Sequence, residues 1–188
     1  MQLEIKKLLN KSIEVKKKVL ETLTPKIEEA AKAVIKALKS GNKILICGNG
    51  GSAADSQHIA AEFINRFKIN RDPLPAIALS TDTSIITSCG NDFGFELIFL
   101  RQVKALAKKG DVLIGISTSG NSKNVLLALE EGKKIGCVNI GLLGCGGGKI
   151  ASLTDINLTI PSNDTPRIQE SHITIAHIIC ELAEKEMV

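Results

Sequence analysis

Lys43-Ile44-Leu45-Ile46-Cys47-Gly48-Asn49-Gly50-Gly51-Ser52 decides the fold. A run suited to a buried strand passes straight into a glycine-rich loop, and an apolar-periodic stretch from Ala53 to Phe67 follows, so the segment reads as strand, turn and helix. The pattern recurs downstream. Asp111-Val112-Leu113-Ile114-Gly115-Ile116 leads into Ser117-Thr118-Ser119-Gly120-Asn121-Ser122 and then into a helical run from Lys123 to Lys134. Glycines let backbone N–H groups approach an anion, hydroxyls add donors, and a helix N-terminus supplies positive partial charge. Two such loops on one sheet point to one anionic ligand held from two sides.

Strands and helices alternate from there on. Strands are expected near 43–47, 75–80, 111–117, 137–143 and 156–160, with helices near 52–67, 82–89, 94–109, 121–135 and 166–186. Near-continuously apolar strands separated by helices predict an α/β fold, a doubly wound five-stranded parallel sheet covered on both faces. Ligands on such sheets bind beyond the carboxyl ends of the strands, at the switch in strand order. Residues 3–23 place Ile5, Leu8, Leu9, Ile13, Val15, Val19, Leu20 and Leu23 in an arc about 160° wide, which predicts a core-facing helix. Thr24-Pro25 reads as the N-cap and first position of a second helix, stopped by Gly41. Residues 1–188 are thus expected to form one domain, with 1–41 as a helical hairpin used in self-association.

Composition narrows the classes. A hydrophobic fraction of 44% and a mean hydropathy of +0.13 argue against disorder, while no apolar run reaches the about 18 residues of a membrane span. The early charges in Met1-Gln2-Leu3-Glu4-Ile5-Lys6-Lys7 interrupt what would be a signal core, so a cytoplasmic protein with no membrane partner is expected. Five cysteines, odd in number and without C-x-x-C spacing, read as reduced thiols and not as a disulfide framework or a cysteine zinc site. The net charge of +4 reads as a solvated surface; with no Trp or Tyr the stacking platforms of single-strand binding are missing, and no nucleic-acid partner is expected.

Candidate chemistry sits on two helical stretches. His58 and Glu62 are i and i+4 on the helix that opens at the first loop, a spacing that suits joint metal binding, an acid/base pair or an ordinary helix pair. Gln169 and His177 are separated by a rise of about 12 Å and a rotation of about 80°, so they meet one metal only by stretching towards each other or with help from a second copy. His172 points about 140° away from His177 and is assigned to packing or a backbone hydrogen bond. Arg167 reads equally as an anion contact or a salt-bridged arginine. Gly48-x-Gly50-x-x-Ala53 also fits the dinucleotide fingerprint, but the nearest acidic candidate, Asp82, lies well past the expected distance.

Four motifs taken in order are more specific. Gly48-Asn49-Gly50-Gly51-Ser52 with His58 and Glu62, Gly90-Asn91-Asp92-Phe93-Gly94-Phe95, Gly115 to Ser122, and Arg167-Ile168-Gln169-Glu170 with His172 and His177 together resemble the phosphoheptose (sedoheptulose 7-phosphate) isomerases of the sugar isomerase (SIS) superfamily. The resemblance runs over nearly the whole chain. It implies a flavodoxin-like sheet, a homotetramer with active sites between subunits, and an aldose–ketose isomerase that makes D-glycero-D-manno-heptose 7-phosphate from sedoheptulose 7-phosphate. That is the first step towards nucleotide-activated heptose for lipopolysaccharide or capsule. By position, Ser52, Ser117, Thr118, Ser119 and Ser122 match phosphate contacts, and Asn49, Gly50, Gly51, Asn91 and Asp92 surround the sugar. His58, Glu62, Gln169 and His177 match the ligands of one zinc per site, Glu62 and Gln169 also contacting substrate, and Glu62 with His177 match the acid/base pair. Pro166 departs from the pattern, standing where an acidic residue is expected. Two alternatives stay open: a non-enzymatic SIS adaptor that binds a replication initiator, whose counterparts of Glu62 and His177 are different residues, and another sugar-phosphate isomerase.

Overall fold

Successive side chains of a strand face opposite ways, and in this protein both directions are apolar. A computed structural model describing residues 1–188 contains strands β1 (Ile44–Gly48), β2 (Ala76–Ala78), β3 (Val112–Ser117), β4 (Val138–Leu143) and β5 (Ile156–Thr159). The helices are α1 (Gln2–Lys39), α2 (Gly51–Ile64), α3 (Thr83–Phe93), α4 (Ile98–Leu106), α5 (Lys123–Ile135) and α6 (Thr165–Glu186). Ile44, Ile46, Ile114, Ile140 and Leu142 face a core completed by α1, α2 and α6, whereas Leu45, Cys47, Leu113 and Leu143 face a second core completed by α3, α4 and α5. The doubly wound α/β sheet is therefore as expected. No helix is long and apolar enough to cross a membrane.

The sheet is parallel throughout, in the order β2-β1-β3-β4-β5. This is the flavodoxin-like order, in which the chain switches direction across the sheet between β1 and β3. It differs from the 3-2-1-4-5-6 order of a nicotinamide-binding Rossmann domain. β1 and β3 are in register from Ile44 opposite Val112 to Gly48 opposite Ile116, so the two loops that follow them emerge side by side. At the other end of this pair the buried Asp111 carboxylate accepts the N–H groups of Lys43 and Lys108 and lies 2.6 Å from Lys43 Nζ.

The expected helical hairpin is instead one continuous helix of 38 residues with Pro25 inside it. An interior proline costs about 3 kcal/mol because it removes a hydrogen bond and crowds the preceding turn. Here the φ of proline is compatible with helix, and the buried stripe runs unbroken through it. Val19 on one side continues into Ile27, Ala30, Ala31, Val34 and Leu38 on the other, packed against the sheet and α6. Burial at about 25 cal/mol per Å2 over several such side chains outweighs one lost bond. The expected core-facing stripe of the first half is also corrected: Leu3, Ile5, Leu8, Leu9, Ile13 and Leu20 project into solvent from the single chain. α3 runs further than expected and takes Asn91 and Asp92 into its last turn, and Gly94 at φ +96° then breaks the path before α4.

Candidate active site at the β1–β3 switch

The first loop turns from β1 into α2 through Gly50 at φ +54°. Gly51 is required by what lies against it, since a β-carbon there would sit 1.9 Å from Gln169 Nε2. α6 thereby lays Gln169 across the first turn of α2. Ser52 is buried beneath the loop. Asn49 does not present a free amide to the cleft: its side chain exchanges two 2.8 Å hydrogen bonds with the buried Asn124 of α5. That reciprocal pair ties the first loop to the helix that leaves the second.

In the second loop the hydroxyls converge. Ser117 Oγ lies 2.9 Å from Ser122 Oγ and 3.4 Å from Ser119 Oγ, and the Asn121 N–H donates to Ser119 Oγ at 3.2 Å. Ser122 is the N-cap of α5, yet its side chain makes no capping bond, so capping does not account for it. Thr118 is half-buried beside them. Gly120 adopts φ +66° with the Gly147 carbonyl where a β-carbon would be, so the glycine-rich segment after β4 braces the serine loop from behind. Asn91 and Asp92 hydrogen-bond each other at 2.9 Å on an exposed turn.

The acid/base candidates meet across α2 and α6. His58 Nε2 is 2.9 Å from Glu62 Oε1 and 3.2 Å from His177 Nε2. One ligand atom from each of the three lies within 4.8 Å of the other two. Ligands bonded to one zinc at about 2.0–2.1 Å sit a little over 3 Å apart, so two imidazole nitrogens and a carboxylate oxygen at these separations fit such an ion. The expected four-residue set is thus brought together in three members, and Gln169, more than two turns before His177 on α6, lies beside Gly51 and Asp55.

Asp55 is the residue that motif reading missed. It shares a helix face with His58 and Glu62, three and seven residues before them, a signal present in the chain. Burial raises its carboxyl above the usual range, against the Gln169 hydrogen bond and the nearby His58 and His177, and its Oδ2 is buried without a partner. Arg167 is engaged structurally, pairing with Glu170 and donating to the Leu8 carbonyl of α1. Pro166 occupies the first turn of α6, where a missing N–H costs nothing. All five cysteines are free.

The SIS domain family matches residues 8–144. The chain is 58% identical over 187 residues to a phosphoheptose isomerase of Citrifermentans bemidjiense, covering 100% of this chain and 97% of that one. The chain belongs to the phosphoheptose isomerase family. It is 54% identical over 181 residues to a member from Clostridium acetobutylicum, with 95% and 92% covered. The solved phosphoheptose isomerase of Neisseria gonorrhoeae superposes with a TM-score of 0.93 at 42% identity, covering 98% of both chains. That of Francisella tularensis gives 0.95 at 40%, covering 98% and 99%. Membership of this family makes the protein an enzyme, an aldose–ketose isomerase, in place of the adaptor alternative.

His172 is fully buried on α6 with Nε2 2.9 Å from the Leu143 carbonyl, a backbone contact as expected. Burial pushes its imidazole from 6.5 down to about 4, with the Leu143 bond opposing. Because the folded value is the lower one, the unfolded chain binds the extra proton, and stability falls as pH drops from about 6.5 towards 4. That shift corresponds to about 3 kcal/mol. His172→Gln retains a donor for Leu143 but cannot titrate, so its denaturant midpoint is expected to fall less than the wild type's between pH 6.5 and 4. Parallel acid limbs for the two proteins would contradict this assignment.

Proposed function

We propose that the protein converts sedoheptulose 7-phosphate to D-glycero-D-manno-heptose 7-phosphate by proton transfer through an enediolate, supplying heptose precursor for a surface glycoconjugate in the cytoplasm. The observation that carries this reading is that the helix bearing His58 and Glu62 starts at the same strand switch as the hydroxyl-lined loop and meets His177 of α6 along its length. The serine loop suits the phosphate of an open-chain sugar, leaving its carbonyl end for the α2–α6 cluster. The relatives' own name supports the same substrate class.

Moving the carbonyl from C2 to C1 requires removing a proton from C1, holding the charge that develops on the C2 oxygen, and returning a proton to C2. Glu62 suits the carbon-to-carbon transfer: Oε1 faces His58 and leaves Oε2 for the substrate. His177, on the facing helix, suits the exchange between the two oxygens, giving a proton to O2 as O1 loses its own. His58, Glu62, Gln169 and His177 would hold a zinc ion, one per site, which when bound polarises the sugar oxygens as a Lewis acid. In this reading Gln169, held against Gly51 at the start of α2, and Asn49, Gly50 and Gly51 contact the substrate. Asn91 and Asp92 complete the sugar's surroundings in this reading.

We further propose a homotetramer. The exposed Ile5, Leu8, Leu9, Ile13 and Leu20 lie on one side of one helix, an apolar face of the kind that marks contact with another chain. Sedimentation at micromolar concentration is expected to give four times the 20.1 kDa chain mass. A monomer there would exclude any site shared between subunits.

Ser119→Ala is expected to raise KM for sedoheptulose 7-phosphate by about 10- to 100-fold, the range for a hydrogen bond to a charged oxygen. The far-ultraviolet circular dichroism should not change. An unaltered KM would take the phosphate away from this loop.

Glu62→Gln is expected to lower turnover and solvent-deuterium incorporation together by about 100- to 10,000-fold, while substrate binding measured by calorimetry survives. Zinc content is measured in the same sample to separate loss of base from loss of metal. Near-wild-type exchange in the zinc-replete variant would reject Glu62 as the base.

A further inference from the structure

The cluster is assembled from two helices, His58 and Glu62 on α2 and His177 on α6, with an imidazole-to-imidazole distance of 3.2 Å across the gap. Something must hold the helices at that separation. A buried ion pair joins them. Glu184 lies seven residues, two turns, beyond His177 on α6 and is 1% exposed. Its carboxylate accepts the N–H groups of Phe67, Lys68 and Ile69 at 2.8, 2.7 and 2.9 Å, and its Oε1 is 3.3 Å from Arg71 Nε. Burial opposes its charge, but the three N–H groups and Arg71 more than offset that and hold the carboxyl below its usual range.

Arg71 completes the connection. Its Nη2 donates to the carbonyl of Glu62 itself at 2.9 Å, and Nη1 donates to the carbonyls of Phe63 and Asp72 at 2.9 and 2.8 Å. The guanidinium therefore caps the last turn of α2, where unpaired carbonyls and the negative end of the helix dipole favour a cation. Between the two ends of the pair, Phe67 is brought against the His177 ring with centroids 5.4 Å apart. Each member of the chain from α6 to Glu184, Arg71 and the Glu62 backbone is a direct contact.

We infer that Arg71 and Glu184 are positioning residues for the isomerase reaction: the pair sets the spacing of His177 from His58 and Glu62, with Phe67 fixing the His177 ring. Neither charged group reaches the cluster atoms. Their effect passes through the last turn of α2 and through the segment that carries Phe67. Partners one step removed from a metal or reacting group govern affinity and rate by orienting the groups that touch it.

The inference rests on the proposed reaction centre. Glu184→Gln keeps the size of the side chain and an acceptor but removes the charge; Arg71→Lys keeps charge but loses the fork that spans Glu62, Phe63 and Asp72. Each is expected to lower kcat by about 10- to 100-fold with KM for sedoheptulose 7-phosphate within about twofold, because the serine loops are not part of the connection. Affinity for zinc alone, measured against a chromophoric chelator, should fall over the same range. The double variant should be no worse than the poorer single one. Phe67→Leu retains an apolar side chain and should lower kcat in the same direction, so it decides the matter if either charge variant fails to fold. Lys39→Ala, which breaks the exposed Lys39–Glu186 pair between α1 and α6, should change none of these quantities.

Folded clamp variants that lose thermal stability but keep wild-type kcat and zinc affinity would overturn the inference. So would a rise in KM matching the fall in kcat/KM. Glu62→Gln is run alongside: its failure to slow exchange would overturn the reaction centre itself, whereas normal clamp variants beside an inactive Glu62→Gln would overturn only the positioning role.

Discussion

The parallel pairing of β1 with β3 is the constraint on which the rest of the site depends. In a parallel pair both chains leave at the same end, and here they leave from neighbouring positions, Gly48 opposite Ile116. The glycine loop and the serine loop are therefore held a strand's width apart without any contact of their own being needed. The Asn49–Asn124 amide pair and the brace of Gly147 against Gly120 then fix the loops in detail. Buried Asp111 secures the opposite end of the same two strands, so a slip in register there would move both loops.

A second constraint acts between helices. The glycine and serine loops belong to the sheet, but the His58–Glu62–His177 cluster belongs to the seam between α2 and α6. That seam is close where the side chains are small, at Gly51 beneath Gln169, and it is polar and buried where it could open, at Arg71 and Glu184. Breaking a buried ion pair leaves an uncompensated charge, which makes the separation of the helices a stiff quantity. The proposed role of the cluster calls for such stiffness, because a misplacement of about 1 Å can cost a reaction about 100-fold.

α1 shows how local signals and tertiary packing compete. Thr24-Pro25 is a sound helix-start signal, and taken alone it predicts a break. The same φ that suits proline to a first turn also suits it to an interior one, and the apolar stripe from Val15 to Leu38 is continuous across it. Which outcome occurs depends on whether the sheet offers a surface long enough to bury that stripe, and here it does. The first half of the helix then overhangs, with its apolar face uncovered within one chain.

The primary sequence determined the class of fold, since five near-continuously apolar strands alternating with helices bury both faces as a doubly wound sheet, and it marked the glycine and hydroxyl loops at two strand ends as the candidate anion contacts. It also marked His58, Glu62, Gln169 and His177 through motif spacing. Tertiary structure alone decided that His177 joins His58 and Glu62, that Gln169 of α6 meets Asp55, that the Asn49 amide faces Asn124 and not an open cleft, and that Arg71 and Glu184 tie the two helices together. The division has one physical cause. Periodicity and turn chemistry act over a few residues and are written in neighbours, whereas the distance between α2 and α6 is set by packing between segments more than a hundred residues apart, which no local pattern encodes.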